Sequence, residues 1–265
     1  MTCSLIVTTY NWKEALELVL LSALNQTILP DEIIVADDGS KEDTQLLISN
    51  FSKQFSHIPI IHSWQEDNGF RAAHSRNKAI AIAQCTYIVL VDGDMILHRS
   101  FIEEHKKYAE KGYFIQGSRV LISQNKSSQI LKNKRYELSF YTLGLYNRKN
   151  ALHSNVLSSF FLQKINSLKG IKTCNMSFFR NDCISINGFN EDFTGWGRED
   201  SEFCVRLMNY GIKRKTIRFN CIAYHIWHKE NKRNCLPRND MLLQQSMQEN
   251  ATCCINGIAN HLGEP

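Results

Sequence analysis

Tyr87-Ile88-Val89-Leu90-Val91-Asp92-Gly93-Asp94 decides how this chain is read. Its five leading residues form a buried strand, which delivers two carboxylates, one glycine apart, into the loop that follows. Magnesium and manganese favour such hard oxygen donors and commonly take further ligands from a nucleotide diphosphate. An Asp-x-Asp triplet on its own is weak, because any acidic turn after a strand looks alike. The segments on either side give it weight.

Upstream, strands and helices alternate. Leu5 to Thr9 reads as a strand, Lys13 to Asn25 as a helix, Ile33 to Ala36 as a second strand and Glu42 to Phe55 as a second helix. Ile58 to Trp64, Ala72 to Ala83 and Tyr87 to Val91 continue the pattern as strand, helix and strand. Such βαβ repetition predicts an α/β fold with a mostly parallel, doubly wound sheet and ligands at the strand C-termini. Three polar segments fall there: Thr9-Tyr10-Asn11, Asp37-Asp38-Gly39-Ser40 and Asp92-Gly93-Asp94. Ser40 is expected to cap the second helix.

Downstream, a helix is expected from His98 to Lys111 and one strand from Tyr113 to Ile122. An irregular basic insertion follows over about 123–172. Glu199 to Tyr210 reads as a helix closed by Gly211, and a strand is expected around Arg218 to His225. The division is a nucleotide-binding half over 1–112, an acceptor and catalytic half over 113–230, and a loosely held tail over 231–265.

With 265 residues, 43% hydrophobic and 22% charged, the chain is that of an ordinary globular protein. No apolar run approaches the roughly 18 residues needed to cross a bilayer. The N-terminus enters a strand at once, which leaves no room for a signal peptide. The nine cysteines have no metal-finger spacing and fit reduced, buried thiols in a cytoplasmic protein. Net charge is +5, and between Lys126 and Lys172 basic residues alternate with aromatic and aliphatic ones. That stretch suits peripheral contact with the anionic inner face of a membrane, or an acidic acceptor; the plainer reading is a solvated cover over a core. No nucleic-acid-binding motif accompanies the charge.

Four sets of residues carry the chemistry. Arg76 falls within the apolar stripe of the third helix, and a buried guanidinium demands an anion. Either it pairs with Asp37 or Asp38, or it faces a donor diphosphate or an aspartate of the nucleotide pocket; Arg71, at the same helix's start, adds to either role. Asp37 and Asp38 are either a plain turn or acceptors for a base and ribose. In Gly195-Trp196-Gly197-Arg198-Glu199-Asp200, the acids either stabilise a helix start or supply a proton acceptor, Asp200, kept ionised by the helix dipole. Trp196 is either core or a flat platform for a sugar. His225 and His228, beside Trp227, are either core histidines or metal ligands, and imidazoles beside a carboxylate tilt the ion toward manganese.

Together these segments resemble the inverting family 2 glycosyltransferases of the GT-A fold. Thr8-Thr9-Tyr10-Asn11, Asp37-Asp38-Gly39-Ser40, Arg76-Asn77 and Asp92-Gly93-Asp94 are similar to that family's nucleotide half. Asn175-Met176-Ser177 and Gly195 to Asp200 are similar to the acceptor half of β-1,4-galactosyltransferases and bacterial chondroitin-type polymerases. The resemblance implies a UDP-sugar donor and a Mn2+ or Mg2+ ion. Thr9, Asp37 or Asp38, Arg76 and Asp92 would serve the nucleotide, and Asp94, His225 and Asp92 the metal. Asp200 would be the catalytic base, and Trp196, Glu199 and Asn175 would lie at the sugars. The acceptor-half likeness tilts the donor toward galactose or N-acetylgalactosamine, with a glycan or lipid-linked glycan as acceptor in polysaccharide or lipopolysaccharide assembly. Ser201 stands where the galactosyltransferases carry a third acid, and the basic insertion has no counterpart. Two rival readings are a nucleotidyltransferase, disfavoured by the absence of a glycine-rich loop after the first strand, and a non-enzymatic glycan-binding module.

Overall fold

The computed structural model describes residues 1–229 and 233–263. The first half alternates as its apolar periodicity dictates: β1 (Cys3–Thr9), α1 (Lys13–Leu24), β2 (Glu32–Asp37), α2 (Glu42–Gln54), β3 (Ile60–Trp64), α3 (Ala72–Ile82) and β4 (Tyr87–Asp92). These strands lie parallel in the order β3-β2-β1-β4. β1, β2 and β4 are buried almost throughout, as strands covered on both faces must be. Register pairs Thr9 with Asp37 and Thr8 with Asp92, so the three polar segments end on one rim.

Further on lie β5 (Met95–Leu97), α4 (Phe101–Tyr108), β6 (Tyr113–Gln116), β7 (Ser118–Ile122), α5 (Gln124–Asn133), β8 (Leu145–Tyr146), α6 (Asn155–Phe161) and β9 (Gln163–Lys164). The chain continues through β10 (Asn175–Phe179), α7 (Arg180–Ser185), α8 (Glu199–Asn209), β11 (Lys213–Thr216), β12 (Ile222–His225) and α9 (Leu236–Gln248). β10 joins β4 antiparallel and extends the main sheet through β6, β11 and β9. A second sheet, β5-β12-β7-β8, stands beside it. No helix among the described residues is long and apolar enough to cross a membrane.

Four expectations are corrected. The strand over Tyr113 to Ile122 is two strands in different sheets, split at Gly117. A Cβ there would collide with the Asn175 side chain, whose Nδ2 donates to the Ser118 and Cys221 carbonyls at 2.9 and 2.8 Å. The strand around Arg218 to His225 is shorter, β12 over Ile222–His225, and β11 has already ended at Thr216. The basic insertion carries α5 and α6, and its Ile130, Leu138 and Leu145 pack against Val120, Ile122 and Tyr224. It covers a core, while Tyr141 (84% exposed) and Phe160 point outward. The tail, finally, is held: α9 packs on α8, and Ile258 is fully buried against the α3 side of the sheet.

Candidate active site

Asp94 sits in the turn between β4 and β5. β5 pairs antiparallel with β12, Met95 opposite His225, and the Ile226 amide donates to the Asp94 carbonyl at 2.9 Å. That register aims the Asp94 carboxylate at two imidazoles: Oδ2 lies 3.4 Å from His225 Nε2 and 3.2 Å from His228 Nε2. The Trp12 ring braces His228 edge-on. Gly93 is required by close approach: its amide donates to the Thr8 carbonyl at 2.6 Å, and a Cβ would meet that oxygen at 2.7 Å.

The donor atoms of Asp94, His225 and His228 lie within 4.8 Å of one another. Asp94 Oδ1 is buried and has no hydrogen-bond partner among the described residues. A buried, unpaired carboxylate oxygen is costly, and a divalent cation would satisfy it. One carboxylate with two imidazoles fits manganese better than magnesium. The Asp94 hydrogen bond raises His228 to about 9, whereas burial lowers His225. Two other His-acid groups, His74-Glu191-His261 and His98-Glu104-His153, spend their carboxylates on internal hydrogen bonds.

Asp92, expected among the metal ligands, is turned elsewhere. Its Oδ1 accepts from Thr8 Oγ1 at 2.9 Å and from Arg76 Nη2 at 3.3 Å. Burial raises its pKa, and the Arg76 charge opposes that. His228, outside the ligand set that the resemblance implies, takes the third place in the cluster. Arg76 is the hub. Nearly buried on α3 over the Phe189 ring, it also binds Glu199 Oε1 at 3.0 Å, so it joins the β4 loop to the start of α8. Of the two alternatives for Arg76, the pair with Asp37 or Asp38 does not form, and the guanidinium meets Asp92 instead. Glu199 Oε2 is a second buried carboxylate oxygen at the site without a partner among the described residues.

Asp200 follows in the first turn of α8. The Ser201 amide and hydroxyl donate to its Oδ1 at 2.7 and 3.3 Å. Burial, then repulsion from Glu199, push its pKa up to about 7, with Arg76 pulling the other way. A carboxylate poised near neutrality is what a general base requires. The loop before it is built from left-handed backbone: Gly195, Gly197 and Arg198 have φ of +71°, +105° and +79°. A Cβ on Gly195 would strike Cys235. Trp196 stands 38% exposed with the Arg233 guanidinium 5.1 Å from its ring, so it is not core.

α9, unread in the sequence, holds that loop. Asn239 is fully buried, and its Nδ2 donates to the Thr194 and Gly197 carbonyls at 3.1 and 2.8 Å. Asp240 accepts from Arg198 Nε at 2.5 Å. A usable signal was present: an amide among the apolar Leu236, Met241, Leu242 and Leu243.

The Asp37-Asp38 pair is saturated. Asp37 is fully buried, accepting from the Ser40 amide at 2.8 Å and facing His62 Nε2 at 2.8 Å. Asp38 accepts from Gln65 Nε2 at 2.5 Å and the Arg71 amide at 2.7 Å, and burial raises it to about 6. Arg71 itself donates to the Glu66 carbonyl. Ser40 does not cap α2; its hydroxyl accepts from the Asn11 amide, which turns the Thr9-Tyr10-Asn11 loop. Thr9 is nearly buried, its carbonyl accepting from the Asp38 amide. Asn175 is 0% exposed and wholly occupied at the strand fork, a framework residue and not a sugar contact.

Comparison with known proteins gives two domain matches: Glycosyl transferase family 2 over residues 4–171, and the N-terminal domain of galactosyltransferase over 157–229. The hyaluronan synthase of Pasteurella multocida is 29% identical over 238 residues, covering 84% of this chain and 24% of that protein. The chondroitin synthase of Escherichia coli is 25% identical over the same length, covering 84% and 34%. The chain thus spans a quarter to a third of these relatives. Among solved structures, the mannosyltransferase PcManGT from Pyrobaculum calidifontis, in complex with GDP-Man and Mn2+, superposes with a TM-score of 0.58 at 17% identity. The superposition covers 86% of this chain and 57% of that one. The architecture is that of the GT-A glycosyltransferases.

Proposed function

The chain belongs to Glycosyl transferase family 2, and from that premise we propose a metal-dependent, inverting transferase. It moves a sugar from a UDP-sugar to a glycan hydroxyl and forms a β-glycosidic bond. Galactose or N-acetylgalactosamine is the donor sugar slightly favoured, in assembly of a bacterial surface polysaccharide or lipopolysaccharide. The observation that carries this reading is the junction through Arg76: it binds Asp92 beside the Asp94-His225-His228 cluster and Glu199 beside Asp200.

The roles follow from that arrangement. A divalent cation held by Asp94, His225 and His228 would supply positive charge to the departing nucleotide diphosphate. Asp200 takes the proton from the acceptor hydroxyl, which attacks the anomeric carbon from the face opposite the leaving group. Arg76 fixes the spacing between the donor and acceptor sides, and such orientation supplies much of the rate. Trp196 offers a flat wall for a sugar ring, held out by its two glycines. Asp38, at the rim and close to neutral, is the better candidate than the sealed Asp37 for the donor base. Outward-facing Tyr141, Leu143 and Phe160 beside basic residues support peripheral contact with an anionic bilayer, the place of a lipid-linked acceptor in the cytoplasm.

The test is a panel of UDP-sugars, with GDP-mannose for contrast, incubated with manganese and with chelator. Metal-dependent UDP release from one UDP-sugar is expected. Release unaffected by chelator, or from GDP-mannose alone, sinks the reading.

A further inference from the structure

Beside the candidate active site, a cavity of about 280 Å³ opens between β7, β11 and the approach to β10. Four cationic side chains line it, Arg119, Lys172, Arg214 and Arg218, and no acid among the described residues does. Unopposed cations crowded into one concavity repel each other, and that cost is recovered when an anion binds. The second observation is independent of charge count. Arg214 is 4% exposed; its Nη1 donates to the Ser167 and Lys169 carbonyls at 2.7 and 2.8 Å, but its Nε has no partner among the described residues. Thr216 Oγ1, also in the lining, is likewise buried without a partner. Unpaired buried donors of this kind call for an acceptor from outside the chain.

The cavity adjoins the catalytic groups. Parallel register sets Ala223 beside Arg119 and His225 beside Leu121, so Arg119 and His225 share one face of the small sheet. They sit on neighbouring strands two residues out of register, their Cα atoms about 8 Å apart. Cys174, also in the lining, directly precedes β10, whose first residue pairs with Val91 next to Asp92. Burial and then the Arg119 charge lower the Lys172 pKa, and the Asp200 carboxylate is among the groups that oppose them. The volume lies just under the ~300 Å³ at which pockets hold drug-sized ligands, so it takes one substituted sugar and not a chain.

We propose that this cavity is an acceptor subsite for an anionic substituent, a carboxylate or a phosphate ester, on the sugar whose hydroxyl Asp200 deprotonates. Its link to Asp200 rests on the transferase reading; anion binding does not. Arg214 Nε, Arg119 and Lys172 supply charge-assisted hydrogen bonds, and a neutral sugar leaves the buried donors unpaired.

Isothermal titration with three disaccharides tests this, one ending in glucose, one in glucuronic acid and one in glucose 6-phosphate. At least one anionic probe is expected to bind about tenfold more tightly than the glucose probe. Which one does so separates a carboxylate from a phosphate source. The advantage should fall below about threefold in Arg119→Gln and in Lys172→Gln, positions at the rim that leave the buried Arg214 in place. Equal affinity for all three probes overturns the proposal, as does a preference that survives both substitutions. UDP release by the wild-type protein is measured separately. Its absence, with the anion preference intact, overturns the transferase reading and leaves the cavity assignment standing.

Discussion

Asp37-Asp38 and Asp92-Gly93-Asp94 look alike as sequence, two acids at the end of a buried parallel strand, yet the fold treats them oppositely. Every oxygen named at the first pair faces a donor from the chain: Ser40, His62, Gln65 and Arg71. At the second, Asp92 is held by Thr8 and Arg76, but Asp94 keeps one buried oxygen with no partner among the described residues and turns the other toward two imidazoles. The difference teaches that a carboxylate sealed in the interior by its own chain, as Asp37 is, serves as scaffold. One left open is a binding group.

The hardest test of that contrast is Asp94→Ala. Manganese affinity should collapse and kcat/KM fall on the order of 10⁴-fold, with the thermal midpoint nearly unchanged, as read by metal titration, turnover and melting. A protein that keeps its metal-dependent turnover would break the comparison. Next comes Asp200→Asn, expected to cost about 10³-fold in transfer, within the range of general-base catalysis, while UDP affinity changes little. Equal loss of both would make Asp200 a structural residue.

Proton linkage sharpens the same picture. Asp200 is raised to about 7, so below that pH it carries the proton it should accept. Turnover is therefore expected to fall about tenfold per unit as pH drops below roughly 6, and Asp200→Asn should flatten that limb. His228 is raised to about 9 by Asp94, so a cation must displace its proton. Manganese affinity should rise with pH up to about 9, by about tenfold per unit for one proton released; a pH-independent affinity would remove His228 from the ligands. The smallest effect is expected at the closed pair. Asp37→Ala strands the Ser40 amide and His62 and should cost about 1–3 kcal/mol of stability, with manganese affinity untouched.

Much of the nucleotide-side architecture was legible because its signals are local. Apolar runs of strand length separated by helical periodicity specify parallel strands, and polar residues ending those runs must share a rim. The outward position of Trp196 and the place of Asp200 in the first turn of α8 were legible for a related reason, since glycine spacing and a helix start are short-range features. Asn175 was misjudged because an amide at a strand start looks the same whether it meets a sugar or a backbone. Gly117 was missed because a glycine inside an apolar run does not announce that the two ends enter different sheets. α9 was read as tail because its polar surface hides the buried Asn239, whose partners lie more than forty residues upstream.

Residue order alone determined the βαβ alternation, the shared rim and the identity of the acids and imidazoles available to a cation. Only the folded chain decided which of them act together. Arg76 selects Asp92 and Glu199 over Asp37 and Asp38, and β5 pairing with β12 carries Asp94 to His225 and His228. Periodicity acts between neighbours in the chain, whereas partner choice for a buried charge is settled by whichever groups the sheet register brings within hydrogen-bonding distance.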